Sequence, residues 1–338
     1  MLLTYLGRRV VLAFVALFGV VLTAFLVAHS VPADPLAMVL SEQATKDPSI
    51  REAFVKRWGL DRSLPEQFVA YLTNVLRGDL GESFTTRRPV LQDLKQFLPA
   101  TVELSLAALA VAVCFGVPLG VWAAVRHNRV VDHATRAVSL VGSASPIFWT
   151  GLVALYVFYY LLEWAPGPGR LDSHQTMPPR VTGFLLVDSL ASGDTELFGA
   201  ALRHLVLPSL VLGWFIMGLI ARTTRSSLLE VLEADYVRTA RSKGLGEGFV
   251  VGFHALRNAL IPVVTVIGLT FASLLSGAVL TETVFSWPGI GRYAVTASTR
   301  LDYPAILGVT MLTAVIYIVV NLVVDLLYGI LDPRIRVR

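Results

Sequence analysis

The densest set of residues whose types and spacing suggest a site lies between Asp235 and Pro262. It reads DYVRTARSKGL (Asp235 to Leu245), then eight residues, then HALRNALIP (His254 to Pro262). Tyr236, Val237 and Ala240 recur at helical spacing on one face, with Arg238 and Arg241 on the other, which predicts a short helix over Tyr236–Ser242. Gly244 suits the left-handed residue that ends a helix. Lys243 falls in the last turn, where the helix dipole favours a cation. Glu247 lies beyond the predicted helix. Such a segment is built for recognition rather than bond-making. Two readings stand: a basic loop that only fixes membrane topology, or a docking helix for a soluble partner.

Residue sets for catalysis are missing. The chain has no G-x-x-x-x-G-K-[ST], so it carries no phosphate-cradling loop and is not expected to hydrolyse ATP itself. It has no H-E-x-x-H and no Cys or His cluster with metal-ligand spacing. His29, His127, His133, His174, His204 and His254 are scattered, and no Ser-His-Asp set follows from spacing. The lone Cys114 gives no disulfide framework. The expectation is a non-enzymatic chain that binds no metal and no cofactor of its own. Its net charge of +4 is spread among loops and gives no nucleic-acid signal.

The elements that must position the Asp235–Pro262 stretch are apolar. Of 338 residues, 55% are hydrophobic and 15% charged, against about a quarter charged in soluble proteins. Six runs lack Asp, Glu, Lys and Arg: Val10–Ala28, Leu104–Val125, Ala137–Leu162, Leu205–Ala221, Ala259–Thr281 and Pro304–Val324. Each approaches or exceeds the ~20 residues of a bilayer-crossing helix. This predicts an all-α polytopic membrane protein, since a barrel would show alternating strands of about ten residues. Arg8 and Arg9 precede a core too long for a signal peptide, and no clear cleavage site follows, so the first run is read as retained. Arg8 and Arg9, Arg126 to Arg136, Arg222 to Arg257, and Arg334 to Arg338 fall on one side if all six runs cross. The positive-inside rule then places both termini and the Asp235–Pro262 loop in the cytoplasm.

Between the first two runs lies Val31–Leu98, too long for a connector. Glu52–Trp58 and Glu66–Leu76 have helical patterning, broken at Gly59-Leu60-Asp61. RGDLGESF follows (Arg77, Gly78, Asp79, Leu80, Gly81, Glu82, Ser83, Phe84), and its glycines imply a tight turn. Glu103 sits one turn into the second run; it is either a satisfied interfacial acid or a residue lining a substrate path. In the third run GSASPIFW places Ser143, Ser145 and Pro146 together. Small residues permit close helix packing and Pro146 kinks the helix; packing and a pore border are both open. TGFLLVDSL (Thr182–Leu190) reads as a short interfacial segment. Trp287 and Tyr293, in TETVFSWPGIGRY, suit a membrane interface. Few acids lie within the runs and no repeat is visible, which argues against a stand-alone secondary transporter.

The Asp235–Pro262 stretch resembles the EAA loop of ABC-importer permeases, in the form found in the dipeptide, oligopeptide and nickel permease family. Arg238 and Thr239 stand where Glu and Ala are usual, and the gap from Gly244 to Pro262 is long; the peptide branch shares both features. RGDLGESF is similar to a Gly-Asp-Leu-Gly-x-Ser stretch of B-type subunits, and SASPIFW and the tail DPRIRVR also match the family. The resemblance implies a type I importer fold with six transmembrane helices. It implies an N-terminal helix and outer segment over 1–97, a transmembrane domain over 98–328 with a coupling loop at 223–258, and a tail at 329–338. Asp235 to Leu245 would form the coupling element, with Tyr236, Val237 and Ala240 towards a groove on an ATPase subunit. Arg77 to Ser83 would face the substrate-binding protein. Implied partners are a second, C-type permease, two cytoplasmic ABC ATPases carrying ATP and Mg²⁺, and an extracytoplasmic binding protein, in a bacterial or archaeal cytoplasmic membrane. Implied substrates are di- or oligopeptides, with nickel chelates or glutathione as alternatives.

Overall fold

The computed structural model describes residues 2–30, 48–49, 52, 55–56, 61–276 and 278–331. The expected helix Glu52–Trp58 lies largely outside the described residues, and the tail Asp332–Arg338 lies wholly outside them. The described residues are mostly helical, with one isolated antiparallel bridge between Glu82 and Pro89. In chain order the helices are α1 (Leu2–Ser30), α2 (Leu64–Leu76), α3 (Val90–Val125), α4 (Val130–Ala144), α5 (Ile147–Ala154, continuing as a π-helix over Leu155–Leu161) and α6 (Leu185–Ala191). There follow α7 (Thr195–Leu232), α8 (Asp235–Ser242), α9 (Leu256–Leu275, entered through Glu247–Phe249 and a π-helical Val250–Ala255), α10 (Val279–Val284), α11 (Ile290–Thr299) and α12 (Tyr303–Leu331).

Four stretches are long and apolar enough to cross a bilayer: Val90–Val125, Thr195–Leu232, Glu247–Leu275 and Tyr303–Val324. α4 and α5 make a fifth if counted as one broken span, and α1 contributes a shorter apolar stretch, Phe14–Val27. The third run, Ala137–Leu162, is broken where Pro146 was expected to kink it, and the break is sharp: the two helices bend by 100° at Ser145-Pro146. Pro146 has no N–H to give and pushes the preceding residue out of the helical region. Ser145 adopts ψ 130, and its hydroxyl donates to the Val141 carbonyl at 2.8 Å. The fifth run also stops early, at Leu275 rather than Thr281.

The chain forms two compact units, one of Met1–Pro99 with Gly289–Ile318 and one of Ala100–Pro288 with Val319–Arg338. In the first, α2 opens with a capping box: the Ser63 backbone N–H donates to Glu66 Oε2 at 3.0 Å. Its core gathers Leu80, Val90, Leu94, Ile290, Tyr293, Ala297, Ala305 and Val309. Tyr293 is buried and its hydroxyl donates to Asp93 at 3.1 Å.

In the second unit α7 is the central rod, packed by α4, α5, α6 and α9. Ala100, Leu104, Ala108 and Ala112 repeat every four residues and make one stripe of α3, set against Leu205, Leu212, Ile216 and Ile220 of α7. Glycine brings these two backbones together: a Cβ on Gly120 would sit 2.6 Å from the Ala221 carbonyl and the Thr224 Cβ. Small residues of this kind let membrane helices approach closely. Trp287 is only 2% exposed and its Nε1 donates to the Ala100 carbonyl at 2.8 Å. Trp287 and Tyr293 are thus core residues, not the interfacial pair the sequence suggested; a buried indole or phenol is accommodated where a partner takes its proton.

Candidate functional site

The stretch that opens the sequence argument folds as α8 and the turn after it. Asp235 begins the helix, and Lys243 and Gly244 close it: the Lys243 N–H bonds the Thr239 carbonyl and the Gly244 N–H that of Arg241. Gly244 takes φ +78, the left-handed value glycine adopts without cost. The Thr239 and Ser242 hydroxyls donate to the carbonyls of Asp235 and Arg238 on their own helix.

The helix faces the other way from the expected one. Val237 is fully buried and Ala240 nearly so, in a cluster with Ala124, Leu228, Val250, Val251, Ala255 and Ala259 of the same chain. The apolar side of α8 is therefore its seat on the membrane unit, and it is not free for another protein. An apolar stripe on a helix must be covered by something, and here the chain covers it itself. The outward side carries Arg238, Thr239, Arg241, Ser242 and Lys243, with Tyr236 at the flank, its hydroxyl accepting from Asn258 Nδ2 at 2.8 Å.

Glu247, beyond the helix, is bound into the site. Arg241 donates to both its carboxylate oxygens, at 3.1 and 2.6 Å, closing the turn through Gly244 with a two-point fork. That hydrogen bond raises the Arg241 pKa above its ordinary value. Leu245, Phe249 and Phe253 are exposed, and the two phenyl rings stack 5.2 Å apart with His254 edge-on to both. Leu245 belongs to the expected coupling element, whereas Phe249 and Phe253 fall among the eight residues between the two patterned stretches and carry no expected role. The signal was present: two phenylalanines four residues apart, a helical spacing that puts both rings on one face.

The second predicted site, Arg77–Ser83, is a folded turn. Arg77 caps α2, Gly78 and Gly81 take φ +81 and +83, and Asp79 accepts the Gly81 N–H at 2.8 Å. Leu80 is buried, Glu82 bridges to Pro89, and the Ser83 hydroxyl donates to Asp302 at 2.6 Å. A cleft of about 710 Å³ opens beside it, lined by Tyr71, Asp79, Glu82, Arg87 and Tyr303 among others. Valine at either glycine should strain the turn by about 1–3 kcal/mol. Uptake by the Gly78→Val and Gly81→Val chains is expected to fall while they still insert and assemble; full uptake would reduce the turn to a passive loop.

Glu103 is buried and ion-paired with Arg170, and it accepts the Leu186 N–H at 2.9 Å. The Arg170 guanidinium also lies over the Trp287 ring, 5.4 Å from its centroid. The pair ties α3 to the loop before α6. Of the two readings of Glu103, the satisfied acid describes this arrangement. Ser143 and Ser145 return their hydroxyls to carbonyls of α4, and Pro146 starts α5 at the bend. Among the described residues these three make no hydrogen bond to a charged group that would define a site. Among the described residues no group of His, Cys, Asp and Glu is placed to hold a metal ion.

Residues 116–337 match the family described as "Binding-protein-dependent transport system inner membrane component", and residues 2–106 match the N-terminal region of such membrane components. The chain is 47% identical over 335 residues to a di/tripeptide transport system permease protein of Pseudomonas aeruginosa, covering 99% of each. It is 46% identical over 317 residues to a probable D,D-dipeptide transport system permease protein of Escherichia coli, covering 94% of this chain and 93% of that one. A dipeptide transport system permease protein of Escherichia coli is 41% identical over 99% of both chains. Among solved structures, a chain of the MetNI methionine ABC transporter in inward facing conformations aligns with TM-score 0.50 at 12% identity, over 72% of this chain and 97% of its own length. That likeness is one of fold.

Proposed function

The chain belongs to the inner membrane components of binding-protein-dependent transport systems, and from that premise we propose that it forms half of the translocation path of an ATP-driven importer for di- or tripeptides. The observation that carries this reading is 47% identity over 99% of a di/tripeptide permease, joined to an outward basic helix seated on the membrane unit. Nickel chelates and glutathione find no support in the names of these relatives.

In this reading the chain does no bond chemistry. ATP and Mg²⁺ belong to two cytoplasmic ATPase subunits, and substrate arrives from an extracytoplasmic binding protein. A second, C-type permease completes the path. ATP bound between the ATPase subunits favours one conformation of the complex over the other. The permease follows because α8 and the turn through Glu247 touch the ATPase surface. Transport is thus alternating access driven by differential affinity for two states. The outward arginines Arg238 and Arg241 and the exposed Phe249–Phe253 pair supply the docking face, and Val237 and Ala240 hold it to the spans. The Arg and Lys distribution supports both termini inside and Arg77–Ser83 outside.

Purification of a tagged chain from its native membrane tests the reading. It is expected to bring down a second permease and two ATPase subunits, to support peptide-dependent ATP hydrolysis after reconstitution, and to report an inside location for a reporter fused after Arg338. A chain that transports alone, or a reporter on the outside, would overturn it.

A further inference from the structure

α4 is fastened to α7 at three points along its length. At its first turn the buried Asp132 receives Nε and Nη2 of Arg225 at 2.6 and 2.8 Å. The same carboxylate accepts the Asn128 N–H at 3.0 Å, and Arg136 stands 3.5 Å away. Further along, Gly218 meets the α4 backbone so closely that a Cβ there would lie 2.6 Å from the Ser139 carbonyl. Near its end, a Cβ on Gly142 would lie 2.5 Å from the Trp214 ring. From Asp132 to Gly142 these points span roughly 15 Å of helix at 1.5 Å per residue. Past the third lies the 100° bend into α5.

Arg225 stands two turns before the end of α7, and α7 leads through Glu233 and Ala234 directly into α8. A force on α8 therefore reaches α7 through the chain itself, besides reaching the entry to α9 and Ala124 of α3 through its seat. The two close glycine contacts bring the helices together but make no directional bond. A bidentate fork on a buried carboxylate resists sliding, because displacement strips both hydrogen bonds from a charge that water does not reach. We propose that Asp132 and Arg225 are positioning residues for coupling: they lock α4 to α7, so that movement of the docking helix is carried to the bend at Ser145-Pro146. This rests on the proposed role of α8. The fastening pair itself lies outside the Asp235–Pro262 stretch.

The test uses the complete reconstituted complex. Asp132→Asn keeps the shape of the side chain and removes the charge that holds the fork. Assembly and basal ATP hydrolysis are expected to be retained, while stimulation by the substrate-loaded binding protein falls roughly tenfold and uptake falls with it. Arg225→Lys keeps the charge without the fork and should fall between. Spin labels at Arg129→Cys and Glu230→Cys, in a Cys114→Ser background, should give one distance in nucleotide-free and ATP-bound states. Undiminished stimulation in Asp132→Asn, or a wild-type distance that changes between the two states, would overturn the proposal. Should Asp132→Asn fail to assemble, Arg225→Lys and the distance in the otherwise wild-type chain decide it. The distance reports on α4 and α7 alone, so it fails separately from any failure of α8 to dock.

Discussion

Replacing Ala240 with Glu is expected to abolish uptake while leaving the spans inserted. Ala240 is 7% exposed and packs with the fully buried Val237 against Leu228, Val250 and Ala259 of its own chain. A carboxylate there has no cation within the cluster, and an unpaired buried charge carries a penalty of several kcal/mol. The helix escapes that penalty by leaving its seat. Among the described residues, the Arg241–Glu247 fork and the Tyr236–Asn258 hydrogen bond then hold it, both exposed to water, and exposed pairs hold little. Hydrogen exchange over Asp235–Val251 should accelerate in the isolated chain, before any partner is added. That readout separates loss of the seat from loss of a contact with another protein. Unchanged exchange together with lost uptake would mean that Ala240 faces a partner after all.

The second large effect is expected at Glu103. Glu103→Ala removes the counter-charge of Arg170 and the acceptor of the Leu186 N–H. Breaking a buried pair from one side typically costs about 3–5 kcal/mol, a large share of the stability of an ordinary domain. The variant should lose most of its folded population in detergent and show a lowered thermal midpoint. Glu103→Leu with Arg170→Met should recover much of the loss, because an apolar pair leaves no stranded charge. If Glu103 instead lined the substrate path, Glu103→Ala would stay folded and only transport would change. A stable Glu103→Ala protein would therefore contradict the structural role.

What could be read from the sequence was local. The extent of α8 follows from five residues at helical spacing, and its end from a glycine whose φ of +78 the turn requires. The turn at Gly78 and Gly81 and the break at Pro146 were legible for the same reason: each depends on what one residue's backbone can adopt. What escaped depended on distant partners. An apolar stripe tells that a helix face is covered, but not by whom, so Val237 and Ala240 were assigned to a partner when Leu228 and Val250 cover them. Arg170 lies 67 positions from Glu103, and no spacing rule pairs them. Trp287 and Tyr293 looked interfacial because their polar tips want water or a hydrogen-bond partner; Ala100 and Asp93 supply the partner from the core. Phe249 and Phe253 show the reverse: two rings, at positions to which spacing gave no role, that the fold leaves exposed.

The central claim is that the outward face of α8 touches an ATPase subunit. Ser242 lies on that face, and its hydroxyl bonds only to the Arg238 carbonyl of its own helix, so Ser242→Cys is a mild change. With Cys114→Ser removing the other thiol, a photo-activated cross-linker on residue 242 can be flashed within the active, reconstituted complex. The predicted result is a covalent adduct with an ATPase subunit, with a yield that changes when ATP is added. An active complex giving no such adduct, in either nucleotide state, would contradict the account.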